Sequence, residues 1–117
     1  MPAYGAGPTG GCVLLDIEKL DEPRGLRLAG ELDASNAEQL VEALEPEVDV
    51  GGDLTLDLAG LAFMDSIGIR VLLRTAQRLE GKGKLVLLSP GQLVRRTLDL
   101  IGGASLPNLD IVDEPSL

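Results

Sequence analysis

A chain of 117 residues with a formal net charge of −9 is long enough for one domain with a two-layer core, but not for two domains. The negative charge disfavours general binding to phosphate backbones or anionic membranes, and an aromatic content of 2% disfavours stacking platforms for single-stranded nucleic acid. Because the sequence contains no histidine, a Ser-His-Asp triad, a Cys-His pair and a histidine metal site are excluded within this chain.

Targeting and redox features are sparse. No apolar run approaches the roughly 18–20 residues of a membrane span, and no basic stretch followed by an apolar segment indicates a signal peptide. Cys12 is the only cysteine, which rules out an internal disulfide and a cysteine-based metal site. These features predict a cytoplasmic protein with no membrane span, no cofactor and no direct contact with nucleic acid.

The first part of the chain predicts a β-hairpin. Apolar and polar residues alternate from Val13, as in a half-buried strand, and Pro23 and Gly25 then favour a turn into a second short strand, LRLAG. The predicted organisation is a Gly/Pro-rich flexible leader (1–11), one domain (12–114) and a short tail (115–117).

A first helix is predicted within GELDASNAEQLVEALE. Ser35 with Glu38, or Asn36 with Gln39, offers a capping box at its start. Apolar residues at helical spacing predict its inner face: Ala37, Leu40, Val41 and Leu44. Pro46 and the Gly-bearing stretch EVDVGGD are expected to end this helix.

A third strand, DLTLDLA, and a second helix come next. The helix has an apolar face made of Ile69, Leu72, Leu73, Ala76 and Leu79. Gly81 and Gly83 are expected to stop it. The apolar run KLVLLS then predicts a fourth strand in the middle of the sheet.

The last predicted elements are a third helix and a fifth strand, LDIVD. Ser89, Pro90 and Gln92 start the helix, with Pro at its first position, and Gly102-Gly103 end it. Its predicted inner face is Leu93, Val94, Thr97, Leu98 and Ile101. The order β-β-α-β-α-β-α-β predicts an α/β domain with a mixed, mostly parallel sheet and an N-terminal hairpin.

Asp65 and Ser66 stand where the third strand gives way to the second helix. Both residue types are preferred N-caps, so capping alone is one interpretation. The other is functional, because the free N–H groups and positive dipole end of a helix N-terminus suit a phosphate on the serine. That phosphate would add nearly two negative charges to the surface, and would disturb a docked partner more than the fold.

Arginines follow Ser66 at intervals of four residues: Arg70, Arg74 and Arg78. We call these three residues the basic stripe, and we place it on the helix face away from the apolar residues. One interpretation is an ordinary solvated face. The other is that Arg70 steadies a phosphate on Ser66, or that the stripe meets an acidic patch on a partner.

GELDASNAEQL followed by LDLAGLAFMDSIGIRVLL resembles the STAS domain, in particular the bacterial anti-sigma factor antagonists. The likeness covers roughly residues 13–113. Its most specific part is the apolar strand, the Met-Asp-Ser-x-Gly turn that ends at Gly68, and the apolar helix. Gly-Glu-Leu-Asp and the late Ser-Pro add support.

The resemblance implies a phosphorylation switch at Ser66. An anti-sigma factor that is itself a serine kinase would phosphorylate this residue, and a serine phosphatase would restore it. Only the unphosphorylated form would bind the kinase and release the sigma factor. Asp33 and Asp65 match acidic residues beside the family's phosphorylation site. Ile67 departs from the Ser or Thr that the family commonly has there, which leaves Ser66 as the single acceptor in the turn.

Two alternatives remain open at this point. One is a STAS module that acts as a scaffold, in a stress-signalling assembly or beside a lipid transporter, with no phosphorylation of Ser66. The other is a small hydrolase using Ser66 with Asp65, against which the missing histidine argues strongly. Oligomeric state is not predicted.

Overall fold

Five strands form one mixed sheet in the computed structural model, which describes residues 15–100 and 108–112. Their bounds are β1 Leu15–Asp21, β2 Arg24–Leu32, β3 Leu54–Met64, β4 Leu85–Leu88 and β5 Leu109–Val112. Spatial order follows chain order: β1 pairs antiparallel with β2, and β2 to β5 are parallel to one another. The predicted α/β class, hairpin and central fourth strand are confirmed. The predicted leader, tail and Cys12 lie outside the described residues.

Three helices connect the parallel strands: α1 Ala37–Val50, α2 Ser66–Leu79 and α3 Gln92–Leu100. All three contribute buried aliphatic side chains to one core with the sheet, for example Leu40, Leu72 and Leu98. On the other face of the sheet, β1, β2 and β3 carry charged side chains, and Arg27 pairs there with Glu18 and Asp57. The sheet therefore has a core face and a polar face. Within the described ranges, no helix combines the length and apolar character that a membrane crossing needs.

The start and the end of α1 differ from the prediction. No capping box forms, because Asn36 Nδ2 donates to the Glu31 carbonyl and Asn36 Oδ1 accepts from the Asp33 backbone N–H. The Gln39 side chain donates from Nε2 to the Leu15 carbonyl instead. Pro46 lies inside the helix, which continues to Val50. A proline there costs about 3 kcal/mol of helix stability.

Tertiary contacts beyond Pro46 explain why α1 continues. Val48 is buried, and Glu47 is only 5% exposed because it pairs with Arg24 at 2.7 Å and Lys19 at 3.2 Å. Burial and these ion pairs offset the missing backbone hydrogen bond. Val41, predicted to face the core, is instead 38% exposed.

The third helix begins later than predicted, and its buried face is narrower than predicted. It starts at Gln92, so Pro90 precedes the helix, and the bend lies at Ser89 with φ 55°. Val94 and Leu98 are buried as predicted, but Leu93 is 56% exposed. The predicted inner residue Ile101 and the terminating glycines 102–103 lie outside the described residues.

Two register shifts between β2 and β3 let these strands end side by side. The register shifts between Arg27 and Ala29 and again between Gly30 and Glu31, after which Leu32 pairs with Met64. We call the region where these two strands end the carboxyl edge. Asp33 and Asp65 follow the paired residues directly, so the fold brings two distant sequence motifs to one place.

Candidate functional site

Ser66 is the first residue of α2 and is exposed at the carboxyl edge. The Asp65 amide donates to the Leu32 carbonyl at 3.1 Å, which ties the start of the turn to the end of β2. Within the described part of the chain, no hydrogen bond engages the Ser66 hydroxyl. A fixed backbone therefore presents an unengaged hydroxyl to solvent.

Asp65 caps α2. Its Oδ1 accepts hydrogen bonds from the Ile67 amide at 2.9 Å and the Gly68 amide at 3.0 Å, with Asp65 itself in an extended conformation. The capping interpretation is thus confirmed for Asp65 and not for Ser66. Two of the amides expected to receive a phosphate are already occupied, so a phosphate on Ser66 would reach them only by displacing the cap.

Gly68 allows α2 to start close to the sheet. A Cβ added at this position would lie 2.7 Å from Met64 Cγ and 2.8 Å from Leu32 Cδ2. Real Cβ atoms essentially never approach so closely, and both neighbours are buried residues of the core. The glycine of the Met-Asp-Ser-x-Gly turn is therefore a packing requirement that sets where Ser66 stands.

Asp33 organises the neighbouring loop. Its Oδ1 accepts from the Ser35 amide at 2.9 Å and the Ser35 hydroxyl at 2.6 Å, while its own amide donates to Asn36 Oδ1. Since Leu32 pairs with Met64, this loop and the Ser66 turn are adjacent. The structure thus places Asp33, Asp65 and Ser66 at one edge, with the Asp33 and Asp65 carboxylates both occupied in local backbone bonds.

The basic stripe runs along the side of α2 that faces α1. Arg78 pairs with Glu45 of α1 through bonds of 2.8 and 3.3 Å. The Arg78 hydrogen bond, and then its charge, lower the pKa of Glu45, and the same contact raises the pKa of Arg78. Arg70 and Arg74 are exposed, and no described residue forms an ion pair with either. The stripe therefore has one occupied and two available cations.

Comparison with known proteins identifies the fold family. The family model described as "Mlab, STAS domain" matches residues 15–108, which is most of the chain. The chain belongs to the STAS domain family. The motif match at residues 64–68 and the observed order of strands and helices agree with this membership.

The relatives of this STAS domain carry a consistent name. BtrV of Bordetella bronchiseptica, provisionally named as an anti-sigma factor antagonist, is 35% identical over 94 residues, or 79% of this chain and 81% of its own. The anti-sigma-B factor antagonist of Bacillus subtilis is 29% identical over 89 residues, covering 75% and 82%.

A solved relative shows the same architecture. The anti-sigma factor antagonist SpoIIAA in its unphosphorylated form superposes with a TM-score of 0.64 at 26% identity, over 86% of this chain and 88% of that one. The phosphorylated form of the Bacillus cell fate determinant SpoIIAA superposes with a TM-score of 0.60 at 22% identity, over 85% and 91%.

The STAS domain also has a surface groove that the sequence did not reveal. We call it the α1–α2 groove; it has a volume of about 370 Å³. Its lining comes from both helices: Val41, Leu44, Glu45, Ile67, Arg70, Val71, Arg74, Thr75 and Arg78. The basic stripe lies on the exposed face of α2, opposite the buried Ile69, Leu72 and Ala76 as expected, and it also borders this groove. The one available signal was Val41, an apolar residue at the margin of the predicted inner face.

Proposed function

We propose that this STAS domain is an anti-sigma factor antagonist that is switched by phosphorylation of Ser66. The unphosphorylated form binds an anti-sigma factor that is also a serine kinase, and thereby frees the sigma factor. A serine phosphatase reverses the modification. The chain acts in the cytoplasm by binding its partner and carries out no catalysis of its own. The kinase binds the ATP that supplies the phosphate.

The observation that carries this proposal is the exposed Ser66 hydroxyl on a fixed helix start. The Asp65 cap and the close packing at Gly68 fix the turn, and neither contact uses the Ser66 side chain. A kinase can therefore reach the hydroxyl without local unfolding. Asp33 and Asp65 serve as site neighbours that shape the docking surface, together with Ile67 and Gly68.

The energetics favour a change in binding over a change in folding. A phosphate at the start of α2 interacts with the helix dipole by about 0.3–1 kcal/mol. An uncompensated charge inside a protein contact costs about 2–5 kcal/mol, which corresponds to about 1.5–3.5 decades in affinity. Phosphorylation of Ser66 would consequently dissociate a partner docked over the turn while leaving the domain folded.

The relatives support this direction. Both sequence relatives above are named as antagonists of anti-sigma factors, and the solved relative SpoIIAA has been described in phosphorylated and unphosphorylated forms. Ser66 is the exposed hydroxyl at the start of α2, directly after the capping aspartate. It is the residue that we assign as the phosphoacceptor.

The test is a phosphorylation and binding assay with the anti-sigma factor of the same host. We expect ATP to add one phosphate that fragmentation maps to Ser66 and that is absent from Ser66→Ala. In calorimetry, Ser66→Ala should bind like the unmodified protein, and Ser66→Asp should bind at least about tenfold more weakly. Gln77→Glu, an exposed charge change near the other end of α2, is the matched control and should bind normally.

Two results would count against the proposal. Equal affinity of Ser66→Ala and Ser66→Asp for the anti-sigma factor would remove the switch. A partner that co-purifies while no condition yields phosphate on Ser66 would instead favour a scaffold role, with the serine reduced to the first residue of a helix that Asp65 caps.

A further inference from the structure

The floor of the α1–α2 groove is apolar and has no unmet polar group. Val41 and Leu44 contribute from α1, and Ile67 and Val71 from α2. The Thr75 hydroxyl donates to the Val71 carbonyl at 2.8 Å, so its polar atom is satisfied within the helix. An occupant of this floor therefore needs apolar side chains and no hydrogen-bonding group.

The charges along the groove are unbalanced. Its lining includes three arginines and a single acidic residue, Glu45, which already pairs with Arg78. Arg70 and Arg74 are left without an ion-pair partner in the part of the chain that the structure describes. In a chain of net charge −9, these two cations beside an apolar floor make a surface that attracts an acidic occupant.

The shape of the groove favours a helix. Both helices connect parallel strands, so they run side by side in the same direction, and the groove follows the furrow between them. Val41 is 38% exposed and Arg70 and Arg74 are exposed, so the groove is open to solvent along its length. A small molecule bound in the groove would remain exposed to water on its outer side. An amphipathic helix would cover the groove with its apolar face and expose its polar face to solvent.

The spacing of Arg70 and Arg74 indicates where a bound helix should carry its acidic residues. Arg70 and Arg74 are four residues apart, which is about 6 Å along the axis of α2. Acidic residues three or four positions apart on a neighbouring helix have a similar spacing. The partner helix should therefore carry apolar residues on one face and Asp or Glu residues at such spacing along one flank.

The groove is continuous with the Ser66 turn. Ile67, one residue after Ser66, lies in its lining, and the Arg78–Glu45 pair stands toward the other end of α2. We infer that the anti-sigma factor places an acidic-flanked amphipathic helix in the α1–α2 groove, so that one partner contacts both the groove and the Ser66 turn. This inference rests on the proposed function and adds the chemistry of the partner.

Substitutions in the groove test this without touching Ser66. Val41→Glu puts a carboxylate onto the apolar floor, and Arg74→Glu reverses a charge at its border. Each should weaken binding of the unphosphorylated full chain to the anti-sigma factor at least about tenfold in calorimetry. Leu93→Glu is the control, because Leu93 is 56% exposed on α3 outside the groove, and its affinity should not change. Thermal unfolding of every variant checks that the domain is intact.

A photo-crosslinker in place of Val41 identifies the occupant. We expect it to label a helical segment of the anti-sigma factor with the acidic flank described above. Reversing an acidic residue of that segment to Arg should then restore binding to Arg74→Glu and not to Val41→Glu. Labelling of a segment without acidic residues would overturn the charge assignment.

The remaining outcomes separate this inference from the proposed function. If the unmodified chain binds and phosphorylation weakens binding, but both groove variants bind normally, the groove assignment is wrong and the switch stands. If the unmodified chain does not bind the anti-sigma factor, the proposed function fails and this inference fails with it.

Discussion

The two ends of the parallel strands are built in opposite ways. At the amino edge, where β2, β3 and β4 begin, Arg24 bonds the Glu47 carboxylate and the Gly51 carbonyl, the latter at 2.6 Å. Backbone there approaches backbone so closely that Gly25 and Gly83 have no room for a side chain. At the carboxyl edge, local caps hold the backbone and the Ser66 hydroxyl stays unengaged.

This difference shows how one small sheet separates stability from function. The amino edge joins α1, β2 and the loop before β3 through long-range contacts between residues 23 to 29 positions apart. Apart from the Asp65–Leu32 backbone bond and the packing of Gly68 against Leu32, the carboxyl edge uses polar contacts within three residues of Asp33 and Asp65. Changes at the amino edge should therefore alter global stability, and changes at the carboxyl edge should alter binding.

The largest expected effect is at Gly25, which should sharpen the contrast. A Cβ there would overlap the Thr55 carbonyl oxygen, which is backbone and cannot move aside. We expect Gly25→Ala to lower the free energy of unfolding by about 3–4 kcal/mol in urea titrations. Gly91→Ala is the control, because its nearest contact is at an ordinary 3.8 Å, and it should leave stability nearly unchanged. A neutral Gly25→Ala would show that this edge is not rigid.

The second-largest effect is expected at Glu47, whose ion pair with Arg24 can be compared with the Glu45–Arg78 pair on the same helix. Removing this buried carboxylate leaves Arg24, 27% exposed, with carbonyl oxygens but no counter-ion. We expect Glu47→Ala to reduce the free energy of unfolding by about 2 kcal/mol. Glu45→Ala breaks only the exposed pair with Arg78 and should change stability little. If both variants lost a similar amount of unfolding free energy, the contacts of the amino edge would not contribute more to stability than an exposed ion pair does.

The smallest expected effect on stability is at Asp65. Loss of this cap frees the Ile67 and Gly68 amides, and we expect Asp65→Ala to cost about 1 kcal/mol in thermal or urea unfolding. Asp65→Ser keeps a capping oxygen and should recover most of that loss. Because the cap also positions Ser66, Asp65→Ala should slow phosphorylation more than its small stability change would suggest. A loss as large as that at Gly25 would mean that the two edges do not differ.

Local patterns predicted the Asp65 cap at the carboxyl edge, because an aspartate before an apolar helix signals an N-cap. The close packing of Gly68 was not predicted, since it depends on Leu32, which is distant in sequence. The same local rules failed at α1. Asn36 uses its side chain across the loop, and Pro46 is tolerated because Arg24, far away in sequence, holds Glu47.

The amino edge and the α1–α2 groove could not be predicted in the same way. Arg24 and Glu47 are 23 residues apart, and nothing in either local sequence indicates the other. Val41 fits a core-facing pattern by spacing, but the packing of α1 against α2 leaves it partly exposed in the lining of the groove. Similarly, the pairing of Arg78 with Glu45 depends on how α1 and α2 pack, which a helix periodicity does not specify.

The Asp65 cap has a consequence for timing. Because Oδ1 already holds the Ile67 and Gly68 amides, the domain's own backbone offers a phosphate on Ser66 little to bind. A modified and an unmodified molecule should then share one conformation, with no refolding between them. In the proposed switch the domain would therefore add no slow conformational step of its own, and its phosphorylated fraction would change as fast as the kinase and the phosphatase act.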